Sequence, residues 1–236
     1  MSILPKIRLG LTVILLLLST QGIADVVRPA LVEITLNTDG TYRIEVRASI
    51  EALLTGINAK YKNTQDSPMA DAYDALRVLS KQELEKAFNP FKTRFTEIVE
   101  LRFDGKRAPL RITGLDIPEP GYTKVPRISL IVLEGQADRS ALMVDWYYPA
   151  SFGDNAVRVR QVDEINEKWH WSQWQWLRDD QRSDPFSLTE VFTEVSVWKM
   201  VTTYLVSGFE HILPKGLDHI LFIIGIFLLS LHLRPL

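Results

Sequence analysis

The sequence predicts a mainly β exported domain, an immunoglobulin-like sandwich with an inserted helix, followed by C-terminal α-helical membrane segments. Three observations carry that prediction. Short apolar runs alternating with polar residues recur from Leu31 onward at roughly ten-residue intervals, separated by Gly, Pro and Asp turns. A helical period interrupts them between Ser67 and Phe88. Beyond residue 190 the chain turns apolar, with an unbroken stretch from Ile220 to Leu229.

Residues 1–24 read as an export signal. Lys6 and Arg8 form a basic start, Leu9 to Leu18 an apolar centre and Gly22-Ile23-Ala24 a small-residue cleavage site, so the mature chain is expected to begin at Asp25. From Leu31 to Arg47 the period is two: Val32, Ile34 and Leu36 share a face, Asn37-Thr38-Asp39-Gly40 turns the chain, and Tyr42, Ile44 and Val46 return. A second hairpin is expected from Val99, Leu101 and Phe103 through Asp104-Gly105 to Ala108, Leu110 and Ile112. Arg127 to Glu134, Ala141 to Tyr148 and a run containing Val157, Val159 and Gln161 read as further strands. Tyr73, Leu76, Leu79, Leu84 and Phe88 fit one helical face, and Ser80 with Glu83 has the spacing of a capping box.

The segment Lys168 to Trp176, KWHWSQWQW, holds four of the six tryptophans. In a strand Trp169 and Trp171 share a face while His170 opposes them, and Trp174 with Trp176 makes a second pair. Core packing plus a β-rich edge, a belt at the bilayer interface and a sugar-stacking platform all remain open. Leu177 to Glu190 is charged, lacks periodicity and reads as a linker. The expected layout is thus signal peptide 1–24, exported domain 25–176, linker 177–190 and membrane helices 191–236.

Composition narrows the function. The 27 basic and 29 acidic residues nearly cancel, and no basic stripe interleaved with aromatics speaks for nucleic acid. With no cysteine there is neither a disulfide framework nor a thiolate metal site. The sequence holds no Gly-x-Ser-x-Gly elbow, phosphate loop or His-Glu-x-x-His helix, so no enzyme is expected.

At the apolar end, Val195 to Leu213 and Leu217 to Leu233 flank a Pro214-Lys215-Gly216 break. Glu210 and His211 precede that break; Asp218 and His219 follow it. Each alone could complement a helix dipole. Two imidazoles and two carboxylates around one break instead suit a divalent ion such as nickel, cobalt or zinc, held transiently.

The stretch His211 to Phe222, HILPKGLDHILF, resembles the signature of the HupE/UreJ family of nickel/cobalt permeases, in the subgroup with a large exported N-terminal domain. Val27 to Val46 is similar to the start of that subgroup's mature domain. The resemblance implies metal handling at His211, Asp218 and His219, with Glu210 in support, in a bacterial-type inner membrane with the N-terminal domain in the periplasm. Two departures accompany it: Ile212 follows His211 where better-known members have Pro, and family members continue through more membrane helices, which implies a truncated chain. The partners expected are the lipid bilayer and a transported or transiently bound nickel or cobalt ion, with no resident cofactor. The competing reading is a membrane-anchored periplasmic binding or sensory module without transport.

Overall fold

The alternating segment at the head of the domain folds as the period demands. β1 (Ala30–Leu36) pairs antiparallel with β2 (Thr41–Ala48), from Leu31 opposite Arg47 to Leu36 opposite Tyr42. Val32, Ile34, Tyr42, Ile44 and Val46 are buried on one face, and the charged residues between them take the other. The turn is locked locally: Asp39 Oδ1 accepts from the Thr41 amide at 2.8 Å and from its hydroxyl at 2.6 Å, while Gly40 takes φ +84°.

The computed structural model describes residues 27–57, 61, 63–123, 125–163, 168–189, 198, 201–202 and 205–206. The expected export signal and the Pro214-Lys215-Gly216 break lie outside the described residues. The chain divides into two units, Met1–Phe192 and Thr193–Leu236.

The first unit is mainly β. Its remaining strands are β3 (Glu100–Phe103), β4 (Lys106–Arg107), β5 (Arg111–Asp116), β6 (Ser129–Gln136), β7 (Met143–Tyr147), β8 (Asn155–Asp163), β9 (Lys168–Trp171), β10 (Gln175–Leu177) and β11 (Phe186–Ser187). A seven-stranded sheet has the order β10-β8-β1-β2-β6-β5, with β9 also on β8, and a four-stranded sheet has the order β11-β7-β3-β4. β1 lies parallel to β8, from Ala30 opposite Asn155 to Leu36 opposite Gln161. Ile44, Ile131, Leu133 and Val159 of the larger sheet join Leu101, Val144 and Trp146 of the smaller in one apolar cluster.

The second expected hairpin is shorter than its apolar pattern. Asp104 and Gly105, at φ +48° and +76°, make the tight reversal that an Asp-Gly pair favours, but β4 pairs with β3 over two residues only. Pro109, which has no N–H to give a ladder, follows at once. Ile112 therefore lies in β5, opposite Leu133 of the other sheet.

Four helices are inserted: α1 (Ile50–Thr55), α2 (Ala70–Arg77), α3 (Lys81–Phe88) and α4 (Phe91–Ile98). The expected capping box is present, with the Ser80 side chain on the Glu83 amide and the Glu83 carboxylate on the Ser80 amide. Leu84, Phe88 and Phe95 are fully buried, and Phe95 stacks on Phe152 at 5.7 Å between centroids. A buried ion pair ties this insert to the sheet. Arg127 Nε donates to Glu51 Oε1 at 2.8 Å, and its other nitrogens donate to the carbonyls of Leu79, Leu76 and Pro118 at 2.9, 3.3 and 3.3 Å. A guanidinium on the carbonyls at the end of α2 serves as its C-terminal cap.

Of the expected linker 177–190, residues 177–189 are part of the folded unit and residue 190 lies outside the described residues. Leu177 and Phe186 are buried, and β11 closes the smaller sheet against β7. Arg182 joins its Nη1 to Asp145 at 2.7 Å and its Nη2 to Glu100. Charged residues are compatible with packing here because their charges are paired. In the second unit, Trp198, Val201, Thr202, Leu205 and Val206 are helical, with the Thr202 hydroxyl donating to the Trp198 carbonyl at 3.0 Å. Among the described residues no helix is long and apolar enough to cross a membrane.

Candidate functional site

The proposed metal-handling side chains Glu210, His211, Asp218 and His219 all lie outside the described residues. Among the described residues no three His, Asp or Glu side chains gather as a metal ion would require. Two other polar constellations do form, one along a sheet edge and one in a cavity.

The edge is built by the tryptophan segment. Pairing sets Trp169 opposite Val162, Trp171 opposite Arg160 and Trp176 opposite Ala156, so all three indoles share the face of β8 that carries Arg158. Simple alternation would have split the pairs. The chain leaves the ladder at residues 172–174, where the Ser172 amide donates to the Val159 carbonyl and the Ser172 hydroxyl accepts from the Val159 amide, each at 2.8 Å. That break restores the phase. Of core packing plus a β-rich edge, the edge is present and the packing is overturned: Trp169 is 62% exposed and Trp176 58%.

Trp171 and Trp174 clamp a cation. The Arg158 guanidinium carbon sits 3.7 Å from the Trp171 ring centroid and 4.4 Å from that of Trp174, and Arg160 lies 5.1 Å from Trp171. Arg158 Nε also donates to Glu33 Oε1 at 2.9 Å, and Arg47 Nη1 meets Glu33 Oε2 at 2.6 Å. Burial pushes the Glu33 carboxyl up, but hydrogen bonds from Arg158 and Arg47 and their charges outweigh it and hold the group below its ordinary value. Arg47 continues to Glu45 at 2.9 Å, and Arg43 crosses to Glu134 at 2.7 Å. Opposite charges thus link β8, β1, β2 and β6 across the outer face.

The cavity, about 310 Å³, opens at the end of the domain where the chain leaves it. Leu36, Phe103, Val162 and Leu188 supply apolar walls, and Asn37, Asp138, Arg139, His170 and Thr189 supply polar ones. Its rim is stiffened by backbone contacts. Arg139 Nε donates to the Asp39 carbonyl at 2.8 Å, the Ala137 amide to the Gly40 carbonyl at 2.9 Å, and the Leu188 amide to the Leu142 carbonyl at 2.8 Å. The Ser140 amide bonds Asp138 Oδ1 at 2.9 Å, and hydrogen bonding from Ser140 keeps the Asp138 carboxyl below its usual range. His170, on the core side of β9 opposite Gln161, turns its strand position toward this space rather than toward the tryptophans. An apolar chamber with one carboxylate, one guanidinium and one imidazole can hold a small polar molecule; the volume is near the lower end for ligand sites. Sequence reading missed the cavity because its walls come from four separate connections, and no local pattern announces their meeting.

The cavity wall ends at Thr189, and from Leu188 onward the chain matches a known family. Residues 188–236 match the model described as HupE / UreJ protein. The comparison with curated proteins and that with solved structures each return no match. The HupE/UreJ match begins directly after β11 and takes in Glu210, His211, Asp218 and His219 together.

Proposed function

We propose that this chain is a membrane protein related to divalent-metal permeases for nickel or cobalt, with an exported β-sandwich domain joined to membrane helices. The observation that carries the reading is the HupE/UreJ match over residues 188–236, the segment in which two imidazoles and two carboxylates flank a Pro-Lys-Gly break. Imidazole with carboxylate suits nickel and cobalt, and without thiolate the ion is bound without being trapped. His211, Asp218 and His219 serve as transient ligands, Glu210 as a supporting carboxylate, and the setting is a bacterial-type inner membrane with the β domain in the periplasm. No catalytic role is assigned to any residue.

The test is uptake of labelled nickel and cobalt by cells producing the chain. His219→Ala and Asp218→Asn are expected to abolish uptake while leaving the chain in the membrane fraction; uptake at the unsubstituted level would remove the site. The cavity beside His170, Asp138 and Arg139 favours a second reading, a membrane-anchored periplasmic binding or sensory module. Calorimetry on the chain with divalent metals and with cell-wall sugars separates the two. Metal binding that disappears with His219→Ala supports the permease, and sugar binding that disappears with His170→Ala supports the module.

A further inference from the structure

We infer that the tryptophan edge of the seven-stranded sheet, with Trp169 and Trp176 foremost, rests on an anionic lipid surface. This rests on the reading of the chain as membrane-anchored. Trp171 and Trp174 are engaged on Arg158, which stiffens the edge, whereas among the described residues no ring or cation contact involves Trp169 or Trp176. An indole pairs an apolar body with a single N–H donor, and the headgroup layer satisfies both.

Charge agrees with that occupant. Over β8, β1, β2 and β6 the outer face carries Arg43, Arg47, Arg158 and Arg160 against Glu33, Glu45 and Glu134, a local excess of one positive charge (four minus three) on a chain whose formal charge is −2. Basic groups are drawn to an anionic bilayer surface.

Position agrees as well. Gln161 faces His170 across the β8–β9 ladder, and its Nε2 donates to the Ser187 carbonyl at 3.3 Å. The chain therefore leaves the domain one residue along β9 from Trp169. From Thr189 to Val195, where the apolar C-terminal stretch begins, the chain reaches at most about 20 Å. Trp176, opposite Ala156, lies about 20 Å farther along β8 than Trp169, opposite Val162. Contact through both indoles thus lays the strands along the bilayer plane.

The full chain is reconstituted into phosphatidylcholine vesicles with and without phosphatidylglycerol, carrying lipids brominated near the headgroup, and indole fluorescence is read. Quenching is expected in the anionic vesicles, with a clear loss in Trp169→Phe and in Trp176→Phe and most of the edge-derived signal gone in the double variant. Circular dichroism checks that the variants stay folded. Quenching unchanged by both substitutions, or equal with and without phosphatidylglycerol, overturns the inference. So does a crosslinked dimer that shields both indoles from bromine, which would assign the edge to a second copy. An alkaline wash keeps the two readings apart. A chain that washes off but still shows substitution-sensitive quenching loses its anchor and keeps this contact, and a chain that resists the wash with no such sensitivity loses the contact alone.

Discussion

Removing the buried Glu51–Arg127 pair is expected to unfasten the helical insert. Glu51 is fully buried and the Arg127 side chain is 7% exposed, so neither charge can turn to water when its partner is lost. Breaking such a pair from one side costs about 3–5 kcal/mol, against about 5–15 kcal/mol for the stability of a whole domain. The two sides are not equivalent. Glu51→Gln keeps an oxygen for Arg127 Nε and puts an NH2 where Glu51 Oε2 accepts from the Ser49 hydroxyl at 2.9 Å, a contact that hydroxyl can keep by accepting instead. Arg127→Met also removes the guanidinium donor from the carbonyls of Leu79 and Pro118 and one of the donors to Leu76, which keeps the Leu79 amide at 3.2 Å, and a buried carbonyl left unpaired costs about 1–3 kcal/mol. Arg127→Met should therefore be the more damaging by about 1–3 kcal/mol or more. In a domain of this size the loss of the pair corresponds to a fall in Tm of about 6–20 °C. Thermal unfolding by circular dichroism, with the double variant completing a cycle, reads all three. Costs below about 0.5 kcal/mol for both single changes, as at ordinary surface sites, would refute the account. So would a reversed order of the two variants.

Three further outcomes follow from the same geometry. Gly135→Ala would set a Cβ 2.6 Å from the Pro109 carbonyl oxygen and closer still to the Tyr42 hydroxyl, so it should cost about 1–3 kcal/mol in urea denaturation; Gly121→Ala, with nothing within 4 Å, should be near neutral, and equal effects would sink the argument. Ser80→Ala removes the side-chain half of the capping box on α3, the hydroxyl that accepts from the Glu83 amide and donates to the Glu83 carboxylate, and should cost about 1 kcal/mol, an unchanged midpoint counting against it. Glu33 and Glu100 are both held below their ordinary value of 4.5: burial raises each, but Arg158 and Arg47 outweigh it at Glu33, and Arg182 and Arg102 at Glu100. Their contribution is complete above 4.5 and is lost as the pH falls through the lowered values, so acid unfolding below pH 4.5 should be less steep in Glu33→Gln with Glu100→Gln. An identical acid profile would refute the assignment.

Local signals were legible in the sequence; long-range ones were not. The β1–β2 hairpin could be read because period two, a four-residue turn and a glycine agree within twenty residues or so. Ser80 and Glu83 announced the start of α3 for the same reason. α1, at six residues, is too short for its period to stand out, yet it carries the buried Glu51. The parallel pairing of β1 with β8 joins positions 125 residues apart, such as Glu33 and Arg158, and nothing near either residue specifies the other. Unbroken alternation sorts the tryptophans into two sets, whereas residues 172–174 reset the phase. The charge and lack of period of 177–190 read as a linker because the partners of Arg182, Asp145 and Glu100, come from β7 and β3, far away in sequence. Of the candidate site, the residue types and their spacing about the Pro-Lys-Gly break are written in the sequence, and the His170 cavity becomes visible only once four connections are brought together.

The parallel seating of β1 against β8 bears on the order in which this protein can mature. The opening strand must wait, half-bonded through β2, until residue 155 and those after it have been made, and the smaller sheet keeps a bare flank on β7 until Phe186 and Ser187 arrive. No shorter N-terminal piece owns a finished interior, so any reporter or tag joined ahead of Phe186 would ride on an incomplete, sticky fold. Because the next residue, Leu188, opens the segment that matches the HupE / UreJ model, synthesis of the β unit ends just as synthesis of that segment begins.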